Sequence, residues 1–188
     1  MVNQKMGYVV YVSGGCRSGK SAYAQQLAES LPGYRGYIAT CPVIDPEMDE
    51  RIARHQQDRR GRGWQTIEAP LALAEAIRSA SEFDVLLVDC LTLWVNNLLY
   101  EAEQQEKNLS EDKMHALCDE LISACREQGK TVIFVSNELG MGLVPAESVS
   151  RRYRDLIGRC NQAVAHAADE AVFLVSGLPL KLKQSNHD

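Results

Sequence analysis

The chain has 188 residues, 45% of them hydrophobic and 24% charged, a balance typical of globular proteins that excludes the disordered and fibrous classes. Its formal net charge of −5 argues against a nucleic-acid-binding surface, because affinity for a phosphate backbone needs clustered cations. A single domain over residues 1–188 is expected, since a chain of this length buries one continuous core without disulfides.

Met1 to Gly7 places no cationic segment ahead of a long apolar stretch, and the run Tyr8 to Val12 is too short for a signal or a membrane span. No membrane span and a cytoplasmic location are therefore expected. The cysteines Cys16, Cys41, Cys90, Cys118, Cys125 and Cys160 form no C-x-x-C pair, and their expected role is as small apolar fillers in a reducing compartment.

In chain order, apolar β-rich runs are predicted as strands at Tyr8 to Ser13, Gly36 to Thr40, Val85 to Asp89, Thr131 to Ser136 and Ala171 to Ser176. Helical or long connecting segments separate them, so the fold class is α/β with a mainly parallel sheet. The runs are almost continuously apolar, as in Val85-Leu86-Leu87-Val88, which predicts central strands covered on both faces. Between the second and third strands, Pro42 to Ala69 is charged and carries a helix start at Asp45-Pro46. On that helix Arg51, His55 and Arg59 are four apart and share a face. Glu101 to Asp112 is polar and reads as a surface loop or subunit-contact excursion. The longest helix is predicted to start near Ser148 or Ser150, with Val149, Tyr153, Leu156, Cys160, Val164 and Ala167 along its apolar face.

The first strand runs directly into Gly14-Gly15-Cys16-Arg17-Ser18-Gly19-Lys20-Ser21, a complete G-x-x-x-x-G-K-[ST] loop followed by the helical Ala22 to Leu27. Such a loop points successive amide N–H groups and a helix N-terminus at phosphate oxygens. Lys20 supplies a cation for the β- and γ-phosphates, and the Ser21 hydroxyl is placed to ligate Mg2+. Asp89 closes the strand Val85 to Val88, where a carboxylate either holds the magnesium shell or caps the helix that follows. His55, with an arginine one turn to either side, reads either as part of a solvated basic face or as a nucleophile. In the second case Arg51 and Arg59 depress its pKa and gather phosphate charge. His115 and His166 fall in helical stretches, and His187 lies in the C-terminal tail.

Several blocks together resemble one family: the P-loop, Tyr37-Ile38-Ala39-Thr40, Glu47-Met48-x-x-Arg51-Ile52-x-x-His55, Trp64-x-Thr66-x-Glu68, Asn137-Glu138-x-Gly140-Met141-Gly142-x-Val144-Pro145, and Arg154-Asp155-x-x-Gly158-Arg159-x-Asn161-Gln162. The family is the bifunctional adenosylcobinamide kinase / adenosylcobinamide-phosphate guanylyltransferase of cobalamin biosynthesis, and the resemblance runs from about Tyr8 to Lys183. It implies a RecA-like P-loop fold, usually a homotrimer, that acts on adenosylcobinamide with ATP or GTP. The terminal phosphate passes to the aminopropanol hydroxyl; a histidine, here His55, then takes GMP from GTP and hands it to the new phosphate. The resemblance also implies nucleotide contacts at Gly14, Gly15, Cys16, Arg17, Ser18, Gly19, Lys20 and Ser21, at Ala39, Thr40 and Cys41, at Gln56, Gln57, Asp58 and Arg59, and at Glu68 and Asp89. The sequence departs from the family pattern in two places, carrying Arg54 where a second histidine can occur and Asp89 where a glutamate can occur. An ordinary P-loop small-molecule kinase, with His55 and its arginines as a lid, is the alternative reading, and a regulatory GTP-binding module is a second.

Overall fold

The computed structural model describes residues 6–41, 57, 59–127 and 129–184. The helix expected at Asp45-Pro46 lies outside them. Seven strands form one sheet: β1 Tyr8–Gly14, β2 Arg35–Ala39, β3 Trp64–Glu68, β4 Val85–Asp89, β5 Thr131–Asn137, β6 Glu170–Val175 and β7 Leu178–Gln184. Their spatial order is β3-β2-β4-β5-β1-β6-β7, with every pair parallel except the β6–β7 hairpin. Among the described residues five helices accompany them: α1 Lys20–Ser30, α2 Leu73–Ser79, α3 Leu91–Gln104, α4 Glu111–Glu127 and α5 Ser148–Ala167.

Alternation along each strand sends neighbouring side chains to opposite faces. Val9 and Tyr11 of β1, Leu86 and Val88 of β4, and Val132 and Phe134 of β5 join the core built with α2, α3, α4 and α5. Val10, Val12, Leu87, Ile133 and Val135 point the other way, onto Ala24 and Ala28 of α1. Both faces are thus covered, which is why the interior strands can be apolar at every position.

The five strands predicted from the sequence occupy the five interior places of the sheet, and the two edge strands were not predicted. β3 is half to fully exposed along its length, and β7 is exposed throughout, so neither carries the continuous apolar run that marks a buried strand. Two local expectations are corrected. The stretch Glu101 to Asp112 is only half loop: α3 runs on to Gln104 and α4 begins at Glu111, leaving a six-residue connection, 105–110. The long helix starts at Ser148 as predicted, but Val149 is exposed; Leu156, Ile157, Cys160, Asn161 and Val164 are its buried face.

The N-terminal edge of the sheet is tied by charge. Arg126 of α4 donates to Gly7 O, to Ala167 O and to Asp169 Oδ2, each at 2.6 Å, and the same carboxylate oxygen accepts Val9 N–H at 2.7 Å. All six cysteines carry thiols rather than disulfides, with Cys90, Cys118, Cys125 and Cys160 buried. Among the described residues no helix is long and apolar enough to cross a membrane.

Candidate active site

Parallel strands deliver all their C-terminal ends to one edge, where connecting loops can converge on a ligand. β1 ends there at Gly14, and residues 15–19 turn the chain into α1. Gly14 is required by close approach: a Cβ on it would stand 2.6 Å from Ser18 Oγ and 2.7 Å from Leu174 O. The loop is clasped from within by Ser18 N–H on Gly15 O at 3.3 Å and by Lys20 Nζ on Gly15 O at 3.1 Å. It is braced from outside by the β6–β7 turn, whose Gly177 N–H donates to Ser18 O at 2.9 Å. Gly19, in the left-handed region at φ 91°, hands the chain to α1 as its N-cap, and Ser21 follows Lys20 in the first turn. Ser18 Oγ is buried and has no hydrogen-bond partner.

Strand order positions the acidic group. β5 lies between β1 and β4, with Gly14 paired to Asn137 and Asp89 to Val135. Asp89 therefore sits two strands from the P-loop, roughly 9–10 Å at the usual strand spacing, a separation that suits a metal-bound polyphosphate lying between the two. It does not serve as a helix cap: Cys90 is the N-cap of α3 and no side chain caps that helix. Burial pushes the Cys90 thiol up to about 11, the Asp89 charge adds to the shift, and the Lys20 ammonium opposes it. Lys20 and Asp89 are thus felt at the same buried sulfur.

A second group gathers where β2, β3 and β4 end in register, Ala39 beside both Glu68 and Asp89. Thr40 is fully buried, its Oγ1 bonded at 2.8 Å to Cys90 O and to Cys90 N–H, while Asn97 Nδ2 donates to Thr40 O at 2.7 Å and to Pro70 O at 3.0 Å. This cross-link fixes the end of β2 against the start of α3. The Arg59 guanidinium lies 3.4 Å from the centroid of the Tyr37 ring, and Trp64 meets that ring edge-on at 6.4 Å. Burial drives the Tyr37 hydroxyl well above the ordinary phenol range; the neighbouring Asp89 carboxylate raises it further and Arg59 counters. Arg59 is only 6% exposed, so its guanidinium is held by a ring face rather than by solvent. Arg60 and Arg62 stay on the surface, Arg62 pairing with Glu29 at 3.4 Å.

The structure thus gathers Gly14 to Ser21, Ala39 to Cys41, Arg59, Glu68 and Asp89 along one edge of the sheet. Cys16, Arg17 and Glu68 are exposed, as is Gln57. Arg51, Arg54, His55, Gln56 and Asp58 lie outside the described residues. His115 is exposed and pairs with Asp119 at 2.9 Å on α4, and His166 is exposed in the last turn of α5, toward the opposite edge. Sequence reasoning did not single out the end of β5 chemically. There Ser136 Oγ donates to Asn161 Oδ1 at 2.6 Å, Asn161 Nδ2 to Asn137 O at 2.9 Å, and Asn137 N–H to Thr92 Oγ1 at 2.9 Å. Asn137 Oδ1 is buried without a partner. The Asn137 to Gly142 block was the available signal.

A glycine-rich loop between β1 and α1, with a carboxylate across one intervening parallel strand, defines a nucleotide-using enzyme of the RecA-like P-loop class. The fold agrees with a solved ATPase of the type III secretion system of pathogenic bacteria, at a TM-score of 0.55 and 13% identity, covering 94% of this chain and 57% of that one. Residues 10–182 match the family model described as cobinamide kinase / cobinamide phosphate guanyltransferase. The bifunctional adenosylcobalamin biosynthesis protein CobP of Pseudomonas aeruginosa is 43% identical, over 92% of this chain and 95% of that protein. The bifunctional adenosylcobalamin biosynthesis proteins CobU of Escherichia coli and of Salmonella typhimurium are 37% and 38% identical, each over 93% of this chain and 99% of theirs. The chain belongs to this family of bifunctional kinase and guanylyltransferase enzymes.

Proposed function

We propose that the chain phosphorylates adenosylcobinamide with ATP or GTP and then transfers GMP from GTP, through a guanylyl-histidine at His55, to give adenosylcobinamide-GDP. The observation that carries the nucleotide half is the pairing of a clasped P-loop with Asp89 across β5, in a chain whose family is named for both reactions. The P-loop amides from Gly14 to Ser21 cradle the phosphates, and Lys20 releases Gly15 O to meet the β- and γ-oxygens. Arg59, with Gln56, Gln57 and Asp58, would border the α-phosphate and base, together with Ala39, Thr40, Cys41 and Glu68.

The donor set fits Mg2+. A hard cation with few protein ligands suits one hydroxyl and one carboxylate, and Ser21 and Asp89 supply them while substrate phosphates and water complete the shell. Bound there, the ion would neutralise β/γ charge and so lower the repulsion met by a nucleophile approaching phosphorus. Ser18 Oγ, close to Gly14, and Oδ1 of Asn137, the register partner of Gly14, are buried and unpartnered, polar atoms that a hydrated polyphosphate would satisfy.

The reading extends to a homo-oligomer, a trimer by family, supported by the apolar row Leu178, Leu180 and Leu182 exposed on edge strand β7. The six thiols suit the reducing cytoplasm. The experiment is incubation with adenosylcobinamide and either γ-labelled or α-labelled GTP. Label should enter the corrinoid from both. Transfer of the γ-label alone would reduce the protein to a plain kinase, and transfer of neither would overturn the reading.

A further inference from the structure

The segment Asn137-Glu138-Leu139-Gly140 leaves the sheet between the P-loop strand and the Asp89 strand, and the nucleotide chemistry above does not use its one carboxylate, that of Glu138. Its backbone is fixed to the P-loop. Gly14 and Asn137 are register partners, and Glu138 N–H donates to Gly14 O at 3.2 Å. Asn137 is held on its other sides by Thr92 and Asn161. A residue leaving such a strand end keeps its place relative to bound phosphate, which proton transfer at a reacting atom requires.

The Glu138 side chain is itself positioned. Gly140 N–H donates to Oε1 at 2.9 Å, and a Cβ on residue 140 would also come within 2.9 Å of that oxygen. Gly140 has no left-handed φ, and the one atom a Cβ there would crowd is this carboxylate oxygen, so a larger residue would push the carboxylate off the Gly140 N–H. Among the described residues no hydrogen bond or ion pair engages Oε2. One oxygen is anchored and the other is left open, on a half-buried residue beside the P-loop that pairs with no cation among the described residues.

We infer that Glu138 is the base on the acceptor side of the phosphoryl transfer. As the acceptor hydroxyl oxygen bonds to the γ-phosphorus, its proton passes to Glu138 Oε2. The bond from the γ-phosphorus to the β,γ-bridging oxygen breaks, and the nucleoside diphosphate leaves with that electron pair. The carboxyl proton is returned to water after release. This assignment rests on the kinase half of the proposed function, and guanylylation of the enzyme, which consumes no acceptor hydroxyl, has no use for it.

The test compares the parent with Glu138→Gln, which keeps an oxygen for Gly140 N–H but is not a base, and with Gly140→Ala, whose methyl displaces the carboxylate. Glu138→Gln should lower kcat for phosphorylation of adenosylcobinamide by about 10²- to 10⁴-fold. GTP affinity and covalent labelling by α-labelled GTP should stay at parent levels. Gly140→Ala should lower kcat as well, and the double variant should be no slower than Glu138→Gln, because both changes remove one carboxylate from one place. Parent-like kcat in Glu138→Gln would overturn the assignment. So would an equal loss of GTP binding, or additive losses in the double variant. A parent that phosphorylates no corrinoid would instead bring down the functional reading and this inference with it.

Discussion

At the N-terminal edge of the sheet Arg126 is met by two carbonyls and the Asp169 carboxylate, and buried Lys130 donates to Ala80 O. At the C-terminal edge Ser18 Oγ and Asn137 Oδ1 are buried with no partner, the two such side-chain atoms among the described residues. The same strands connect the two edges, so strand chemistry does not cause the difference. One edge closes its polar groups internally and carries stability; the other leaves these two atoms open, at a cost of desolvation that a bound ligand can recover. Charge follows the same division. The half-buried Arg126–Asp169 pair is fully engaged, whereas Lys20 is parked on a backbone carbonyl from which it can move.

Substitutions can break this contrast. Lys20→Ala should slow phosphoryl transfer by roughly 10²- to 10³-fold, as loss of an electrostatic donor does, with an unchanged melting temperature. Coupled loss of activity and Tm would place Lys20 on the structural side instead. Arg126→Met should do the converse, lowering unfolding free energy by about 3 kcal/mol because Asp169 and two carbonyls lose their donor in a half-buried setting. Denaturant titration reads the loss, and GTP affinity should not change. Gly14→Ala should cost about 1–3 kcal/mol and also weaken GTP binding, since its methyl meets the backbone at Leu174 O rather than a movable side-chain tip alone. Asp89→Asn should raise the Mg2+ concentration needed for half-maximal turnover with little effect on Tm; coincident Mg2+ titrations would remove Asp89 from the metal side. The smallest expected effect is on alkylation: exposed Cys16 should react with iodoacetamide faster than buried Cys118, Cys125 or Cys160, and saturating GTP should slow it.

What the sequence showed in advance follows the same physics. Val85 to Val88 and Tyr8 to Val12 were legible as strands because burial on both faces demands apolar residues in succession. Trp64-Gln65-Thr66-Ile67-Glu68 and Leu178-Pro179-Leu180-Lys181 were not, because an edge strand is held by ladder bonds on one side and has little burial to write into its residues. The P-loop was legible in full, since its chemistry is local and needs a fixed spacing. The burial of Arg59 was not, because the Tyr37 face that receives it comes from β2, more than twenty residues earlier in the chain. Glu101 to Asp112 misled for a related reason: two helix ends and a short turn are as polar as a loop.

The central proposal, that GMP is transferred through a guanylyl-histidine at His55, is tested most directly by incubating the protein with α-labelled GTP and Mg2+, denaturing it, and mapping the label. The account predicts one labelled peptide carrying GMP on His55, acid-labile and base-stable as a phosphoramidate is, and no label in His55→Ala. Acid-labile GMP persisting in His55→Ala, or no covalent label on the parent protein, would contradict it.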